Sequence, residues 1–239
     1  MSAHHAPFKP SPLAPVGIPP LEMGDRLTRD EFERRYEAMP NLKKAELIEG
    51  EVYMPSPVRA HRHGHPHSKL ITWLGIYEVA TPGVYSMDNT TARLDLDNEP
   101  QPDAVLFIKP ECGGQVKISD DDYVEGAPEF VGEVSSSTVS FDMHAKLNVY
   151  RRCGVKEYLV WRVLDQEIDW FILRGGAYEH LTASEDGILR SPTFPGLWLD
   201  REAMLRGETA RVLEVLGLGT ASGEHGAFVT HLASFGQAR

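Results

Sequence analysis

Three acidic residues and one lysine occupy positions where the surrounding pattern predicts burial. Glu133 lies inside an apolar strand, and Asp103 lies near the start of another. Glu46 belongs to an earlier strand or helix end, and Lys146 lies on the core-facing side of a predicted helix. Burying a single charge in an apolar interior is costly. We therefore expect these four side chains to meet rather than to be buried separately.

The types of these residues favour metal-assisted hydrolysis of a phosphodiester. Carboxylates that converge from separate elements bind a hard divalent cation, Mg²⁺ or Mn²⁺, through oxygen. Such a cation activates water and neutralises charge on a phosphate, and a nearby lysine stabilises the transition state. In the alternative interpretation, Asp103 caps a turn, Glu133 pairs with a neighbour and Lys146 extends its ammonium into solvent.

Four histidines alternate in the segment RAHRHGHPH at residues 59–67. An extended loop would divide His61, His63, His65 and His67 between two faces, and their spacing is not typical of a zinc site. The pattern favours an exposed polar loop. His67 begins a predicted helix, so it is a candidate neighbour of the site that contacts phosphate or water. A His-rich protein that binds Zn²⁺ or Ni²⁺ through this loop is an alternative.

Composition limits the class of protein. The formal net charge is −11 and the pI is about 5.4, which argues against a general nucleic-acid coat protein with a basic face. Two cysteines are too few for a disulfide framework and suit a reducing cytoplasm. No apolar run reaches the roughly 18 residues of a membrane span, and no signal-peptide pattern is present.

Apolar periodicity and turn residues predict a mixed α+β or α/β domain with a central sheet flanked by helices. Thr28 and Glu31 fit a capping box, and Pro55 and Pro57 would end the second strand. The predicted helices cover residues 28–39, 66–80, 142–153 and 200–216, with one further short helix in the tail at 217–239. The predicted strands cover residues 45–48, 51–54, 84–87, 92–96, 101–108, 130–134, 158–163, 168–174 and 178–182, and 109–126 is predicted to be a solvated loop.

An ordered series of short motifs makes the chain resemble a known family. The motifs are ELIEGE at 46–51, MPSP at 54–57, HSKL at 67–70, QPD at 101–103, EVS at 133–135, and GVKEY at 154–158 after Lys146 and Tyr150. The chain resembles the Uma-type putative restriction endonuclease family, within the PD-(D/E)XK nuclease superfamily. Ser135 stands where the short motif has lysine, and Lys146 on the following helix is the candidate replacement.

The resemblance implies a restriction-endonuclease-like central mixed sheet and a DNA-cleaving, metal-dependent enzyme. Asp103 and Glu133 would hold Mg²⁺ or Mn²⁺, Glu46 would complete or support the shell, and Lys146 would polarise the attacking water. We also expect the protein to be a cytoplasmic homodimer. The basic residues predicted to meet the phosphate backbone are Arg59, Arg62, Lys69, Arg151 and Arg152.

The resemblance covers a predicted nuclease-like domain at residues 25–206. A Pro-rich tail or arm at 1–24 precedes it, and a helical extension and tail at 207–239 follows. Besides the His-rich protein, one alternative stays open: a catalytically silent, dimeric nucleic-acid-binding or interaction protein that kept the fold.

Overall fold

The computed structural model describes residues 17–54 and 59–236. Most of the predicted tail at 1–24, together with Pro55 and Pro57, lies outside the described residues. The helices are α1 (Arg29–Glu37), α2 (His65–Ala80), α3 (Val139–Phe141), α4 (Leu147–Cys153), α5 (Arg201–Leu205), α6 (Thr209–Thr220) and α7 (Gly223–Gly236), with π-helical turns at Ala60–Gly64 and Asp142–Lys146 and a 3-10 turn at Pro110–Cys112. The strands are β1 (Glu46–Ile48), β2 (Glu51–Tyr53), β3 (Val84–Asp88), β4 (Ala92–Arg93), β5 (Ala104–Ile108), β6 (Lys117–Ile118), β7 (Val124–Glu125), β8 (Phe130–Ser135), β9 (Glu157–Arg162), β10 (Glu167–Arg174), β11 (Ala177–His180), β12 (Ile188–Arg190) and β13 (Trp198–Asp200).

A six-stranded mixed sheet forms the centre of the fold. Its strand order is β11-β10-β9-β8-β5-β3. β8 and β9 are parallel and are joined through the helical segment 139–153, whereas the other neighbours are antiparallel. A parallel pair requires such a crossover, because a tight hairpin reverses the chain. The predicted class, a mixed sheet flanked by helices, is confirmed.

The two faces of the sheet are covered by different helices. On one face α2 packs Leu70, Trp73 and Tyr77 against alternate residues of β5 and β8. Gly132 of β8 permits this close approach, because a Cβ at that position would lie 3.0 Å from Leu70 Cδ2. On the other face Tyr150 of α4 packs among the remaining residues of β5, β8 and β9. The candidate site lies on this second face.

The β1–β2 hairpin matches its prediction, including its turn. Glu49 and Gly50 have φ values of 53° and 73°, the positive values that a tight type I′ turn needs at both central positions. Leu47 of the hairpin pairs with Glu99. The hairpin therefore lies alongside the chain that leads into β5.

Several local predictions were wrong. Thr28 makes no side-chain cap, and Glu31 instead binds Arg34 and Arg35, so the capping box does not form. The predicted loop at 109–126 contains β6 and β7, which form a three-stranded sheet with β4. The predicted helix at 200–216 is divided into α5 and α6 near Gly207, whose φ is 75°.

The C-terminal part of the chain is more helical than expected. α7 covers 14 residues where the tail pattern indicated one short helix. Val212 and Leu216 of α6 and Leu232 of α7 belong to the same apolar cluster as the residues of α2. No helix in the described part of the chain is both long and apolar enough to cross a bilayer.

Candidate functional site

Asp103, the residue immediately before β5, lies next to Glu133 of β8. β5 and β8 pair with Ala104 opposite Gly132, and one further step of this register places Asp103 opposite Glu133. Directly opposed residues of an antiparallel pair point to the same face with their Cβ atoms about 4.5–5.5 Å apart. Both residues are buried, each with 4% of its total surface exposed.

Lys146 reaches this face from the crossover segment. Its Nζ donates to Glu133 Oε1 at 2.9 Å and to Glu46 Oε1 at 2.8 Å. The residue is 3% exposed, which excludes the alternative in which its ammonium extends into solvent. Tyr150, four residues further along, donates its hydroxyl to the same Glu133 oxygen at 2.9 Å. Lysine and tyrosine therefore fix the orientation of this carboxylate from one side of the helix.

Glu46 comes from the β1–β2 hairpin and holds Lys146 in place. Its Oε1 also accepts the main-chain N–H of Gln101 at 2.7 Å. This contact joins the hairpin to the segment that leads into Asp103. The structure thus brings Glu46, Glu133 and Lys146 into one hydrogen-bonded group, and Asp103 lies beside Glu133.

Acidic side chains outnumber basic ones in this group, and the pKa values reflect that excess of negative charge. Burial raises the pKa of Glu133 to about 8; Lys146 opposes that rise, and the charges of Asp103, Asp142 and Glu46 add to it. Burial also raises the pKa of Asp142. For Lys146, burial favours the neutral amine, but the surrounding carboxylates raise its pKa well above the usual value. Lys146 is therefore a permanent cation.

Asp103 has a different environment from Glu133. Its Oδ2 accepts the N–H of Val134 at 2.8 Å, and its Oδ1 lies 3.5 Å from His63 Nε2 and 3.9 Å from Lys44 Nζ. Burial favours the neutral acid, but the hydrogen bond and charge of His63, the charge of Lys44 and the Val134 N–H lower the pKa of Asp103 to about 2. Asp103 is therefore ionised at neutral pH without any added cation.

The histidine segment is helical rather than extended, so the prediction of an exposed alternating loop was wrong. In the π-helical turn and α2, His63 and His67 lie on one face with their rings 5.4 Å apart. His67 Nε2 contacts the main-chain oxygen of Asp103 and Asp88 Oδ1, each at 2.9 Å. His61 and His65 are exposed.

Four residues that contact the group or act on it through their charge were missed as site residues. They are Lys44, His63, Asp142 and Tyr150. Helical spacing was the available signal for three of them, because His63 lies four residues before His67, and Asp142 and Tyr150 flank Lys146 at the same distance. Nothing in the sequence indicated Lys44, which reaches Asp103 only through the packing of the hairpin.

The basic residues predicted to contact DNA do not share one environment. Arg59 and Arg62 are exposed at the π-helical turn that precedes α2, and Lys69 is partly exposed on α2. Arg151 donates to the main-chain oxygen of Gly176. Arg152 pairs with Glu49 at 2.7 Å.

The donors at Asp103 and Glu133 fit a hard divalent cation by their chemistry. Within residues 17–54 and 59–236, no group of three or more His, Cys, Asp or Glu side chains is arranged to hold an ion. Mg²⁺ commonly binds through one or two carboxylates and takes its remaining ligands from water and phosphate. Two adjacent carboxylates in a group with excess negative charge meet that requirement.

Comparison with known proteins agrees with this architecture. A family model described as "Uma2: Putative restriction endonuclease" matches residues 29–202. A crystal structure of a putative nuclease belonging to DUF820 from Anabaena variabilis ATCC 29413 is similar in fold, with a TM-score of 0.56 and 16% sequence identity over 75% of this chain and 99% of that chain. No curated protein matches. The family model covers most of the chain, and the chain therefore belongs to the Uma2 family of putative restriction endonucleases.

Proposed function

We propose that the protein is a divalent-metal-dependent endonuclease that hydrolyses phosphodiester bonds in DNA. One observation carries the proposal: the register of β5 and β8, extended by one residue, sets Asp103 beside Glu133, and the buried ammonium of Lys146 is hydrogen-bonded to Glu133. Strands β5 and β8 are central in the sheet, so the carboxylates have a rigid support. Membership of the Uma2 family supports the same proposal.

Each residue of the group has a distinct task in this proposal. Asp103 and Glu133 would hold Mg²⁺ or Mn²⁺, which supplies an activated water and neutralises phosphate charge. Glu46 positions Lys146 through its 2.8 Å contact. Because the pKa of Lys146 is raised, it acts as a fixed positive charge that stabilises developing negative charge, and it does not accept a proton.

Lys44 extends the proposal to the entrance of the site. Its side chain is 23% exposed, whereas that of Lys146 is 4% exposed. A phosphate that approaches Asp103 from solvent therefore meets Lys44 before it meets Lys146. Arg59, Arg62 and Lys69 are the candidates for more distant backbone contacts. With a net charge of −11, DNA binding should be weak and sensitive to salt.

Plasmid cleavage tests the proposal directly. Supercoiled DNA incubated with Mn²⁺ or Mg²⁺ should be nicked by the wild type and not by Glu133→Gln. Glu179→Gln, an exposed substitution on the edge strand β11, is the matched control and should cut normally. Equal cutting by Glu133→Gln would refute the assignment. Absence of both cleavage and metal binding would favour the catalytically silent protein, and binding of Zn²⁺ or Ni²⁺ that survives loss of both Asp103 and Glu133 would favour the His-rich alternative.

The oligomeric state is a separate prediction. We expect a homodimer, and sedimentation equilibrium of the purified protein measures the oligomeric state. A monomeric mass at micromolar concentration would refute the dimer and leave the assignment of the metal site unaffected.

A further inference from the structure

His63 is held in the orientation that a metal-binding histidine usually has. Its Nδ1 lies 2.9 Å from the main-chain oxygen of Val134. A carbonyl oxygen only accepts hydrogen bonds, so Nδ1 must carry the proton in this contact. In the neutral ring, Nε2 then has a free electron pair. Metal-bound histidines typically donate their other ring N–H to a carbonyl or carboxylate in this way.

The other ring nitrogen, Nε2, faces the carboxylate that is proposed to bind the cation, and when Nε2 carries a proton it hydrogen-bonds to that carboxylate. Nε2 lies 3.5 Å from Asp103 Oδ1. Two donors bound to one ion at about 2.1 Å, with an angle between 90° and 110°, lie roughly 3.0–3.4 Å apart. A shift of about 0.1 Å or more therefore brings these two atoms to the separation required for shared coordination.

Solvent reaches the side chains of His63 and Asp103, and the main chain of Val134 holds both side chains in place. The side chain of His63 is 20% exposed and that of Asp103 is 6% exposed, so an ion can reach them from the solvent side. Asp103 is fixed by the Val134 N–H and His63 by the Val134 oxygen. One residue of β8 thus orients both donors. The π-helical turn that presents His63 belongs to a class of helix distortion that is frequent at functional sites.

We propose that His63 is a nitrogen ligand, through Nε2, of the divalent cation at Asp103. This inference rests on the metal dependence proposed above. When a cation binds, the proton that Nε2 shares with Asp103 would be released to solvent, and Nε2 and Oδ1 would both serve as donors. An imidazole ligand favours transition metals, whereas Mg²⁺ prefers oxygen ligands. His63 would therefore bias the site toward Mn²⁺ over Mg²⁺.

Electron spin-echo envelope modulation of bound Mn²⁺ tests the ligand without any assay of activity. The wild-type protein with Mn²⁺ alone should show ¹⁴N modulation from a coordinated imidazole, replaced by a ¹⁵N pattern when all histidines are ¹⁵N-labelled. His63→Gln should lose this modulation. His61→Gln, an exposed histidine two residues earlier, and His67→Gln, which contacts the main chain of Asp103, should retain it.

Titration calorimetry gives an independent measure. His63→Gln should weaken Mn²⁺ binding by about 10–100-fold, the range seen when the support of a metal ligand is removed, and should weaken Mg²⁺ binding less. The labelled wild type keeps the test valid if His63→Gln does not fold. Bound Mn²⁺ without imidazole modulation would overturn the role of His63 and leave the metal site intact. A wild type that binds no Mn²⁺ would overturn the proposed metal dependence itself.

Discussion

Replacing Lys146 by methionine should reduce stability as well as activity. Nζ lies 2.8 Å from Glu46 and 2.9 Å from Glu133, and the three side chains are 4–6% exposed. Methionine keeps most of the apolar stem but leaves two buried carboxylates without the cation they share. Removing one partner of a buried ion pair typically costs about 3–5 kcal/mol. We expect a loss of that size in the free energy of unfolding at pH 8.

The loss should depend on pH, because the carboxylates can bind protons instead. Burial raises the pKa of Glu133 to about 8 even though the charge of Lys146 opposes the rise. Loss of that charge in Lys146→Met should therefore raise the pKa of Glu133 further. An acid whose pKa is raised in the folded protein binds its proton more readily there than in the unfolded chain. Stability therefore increases as the pH falls from about 8, the folded pKa of Glu133, to 4.5, the ordinary pKa of glutamic acid. The deficit of Lys146→Met relative to wild type should therefore be smaller at pH 5.5.

Urea unfolding followed by tryptophan fluorescence measures the stability of each variant at both pH values. Single-turnover cleavage of a supercoiled plasmid with Mn²⁺ measures activity, which should fall by about 10²–10³-fold. Lys146→Met combined with Glu133→Gln should regain stability but not activity. Lys117→Met on the exposed strand β6 is the matched control. Unchanged unfolding and unchanged cleavage by Lys146→Met would refute the reasoning.

Three further outcomes follow from the geometry. Asp103→Asn should lower stability by up to about 2 kcal/mol at pH 7, because the pKa of Asp103 is lowered to about 2 and the folded protein therefore favours its ionised form. The stabilisation by ionised Asp103 should disappear as the pH falls from about 4 to 2, which urea titrations measure. Tyr150→Phe should cost about 1.5–3 kcal/mol above pH 8, where Glu133 is ionised, because that is the usual value of a hydrogen bond to a charged group; calorimetric unfolding measures it. Burial and the neighbouring Glu33 raise the pKa of Glu99 from 4.5 to about 8, so wild-type stability should fall as the pH rises across that interval. Glu99→Gln should increase the free energy of unfolding at pH 8 by at most about 5 kcal/mol and leave it nearly unchanged at pH 4.5, and the melting temperature at each pH measures the difference.

The sheet could be predicted because its strands are short apolar runs with clear boundaries. β8 and β5 are fully or almost fully apolar apart from Glu133, and that exception is what indicated a site. The helix that carries Lys146 was also predictable from its apolar spacing and from Gly154, whose φ of 88° ends it. The register that sets Asp103 opposite Glu133 was not predictable, since it depends on pairing between distant segments.

The predicted helix at 66–80 matches α2 within one residue, but the π-helical turn at Ala60–Gly64 before it was predicted as a loop because local signals pointed to one. Gly64 and Pro66 are usually breakers of helices, and alternating histidines suggest an extended chain. Proline is tolerated in the first turn of a helix, where its missing N–H is not needed, and Pro66 lies in the first turn of α2. The packing of α2 on Gly132 then makes the helix favourable and brings His63 to Asp103. Tertiary contacts overrode the local preference.

The two acids of the site have opposite electrostatic preferences, and this difference suggests their order of action. Asp103 is ionised across the neutral range because His63, Lys44 and a main-chain N–H surround it. Glu133 is buried among other acids, and Lys146 only partly offsets the cost of its charge. Carboxylates whose pKa values are driven apart by their surroundings usually have different tasks. In the proposed function, Asp103 would therefore be the residue already ionised to hold a cation, and the charge of that cation would favour the ionised form of Glu133 as Lys146 does.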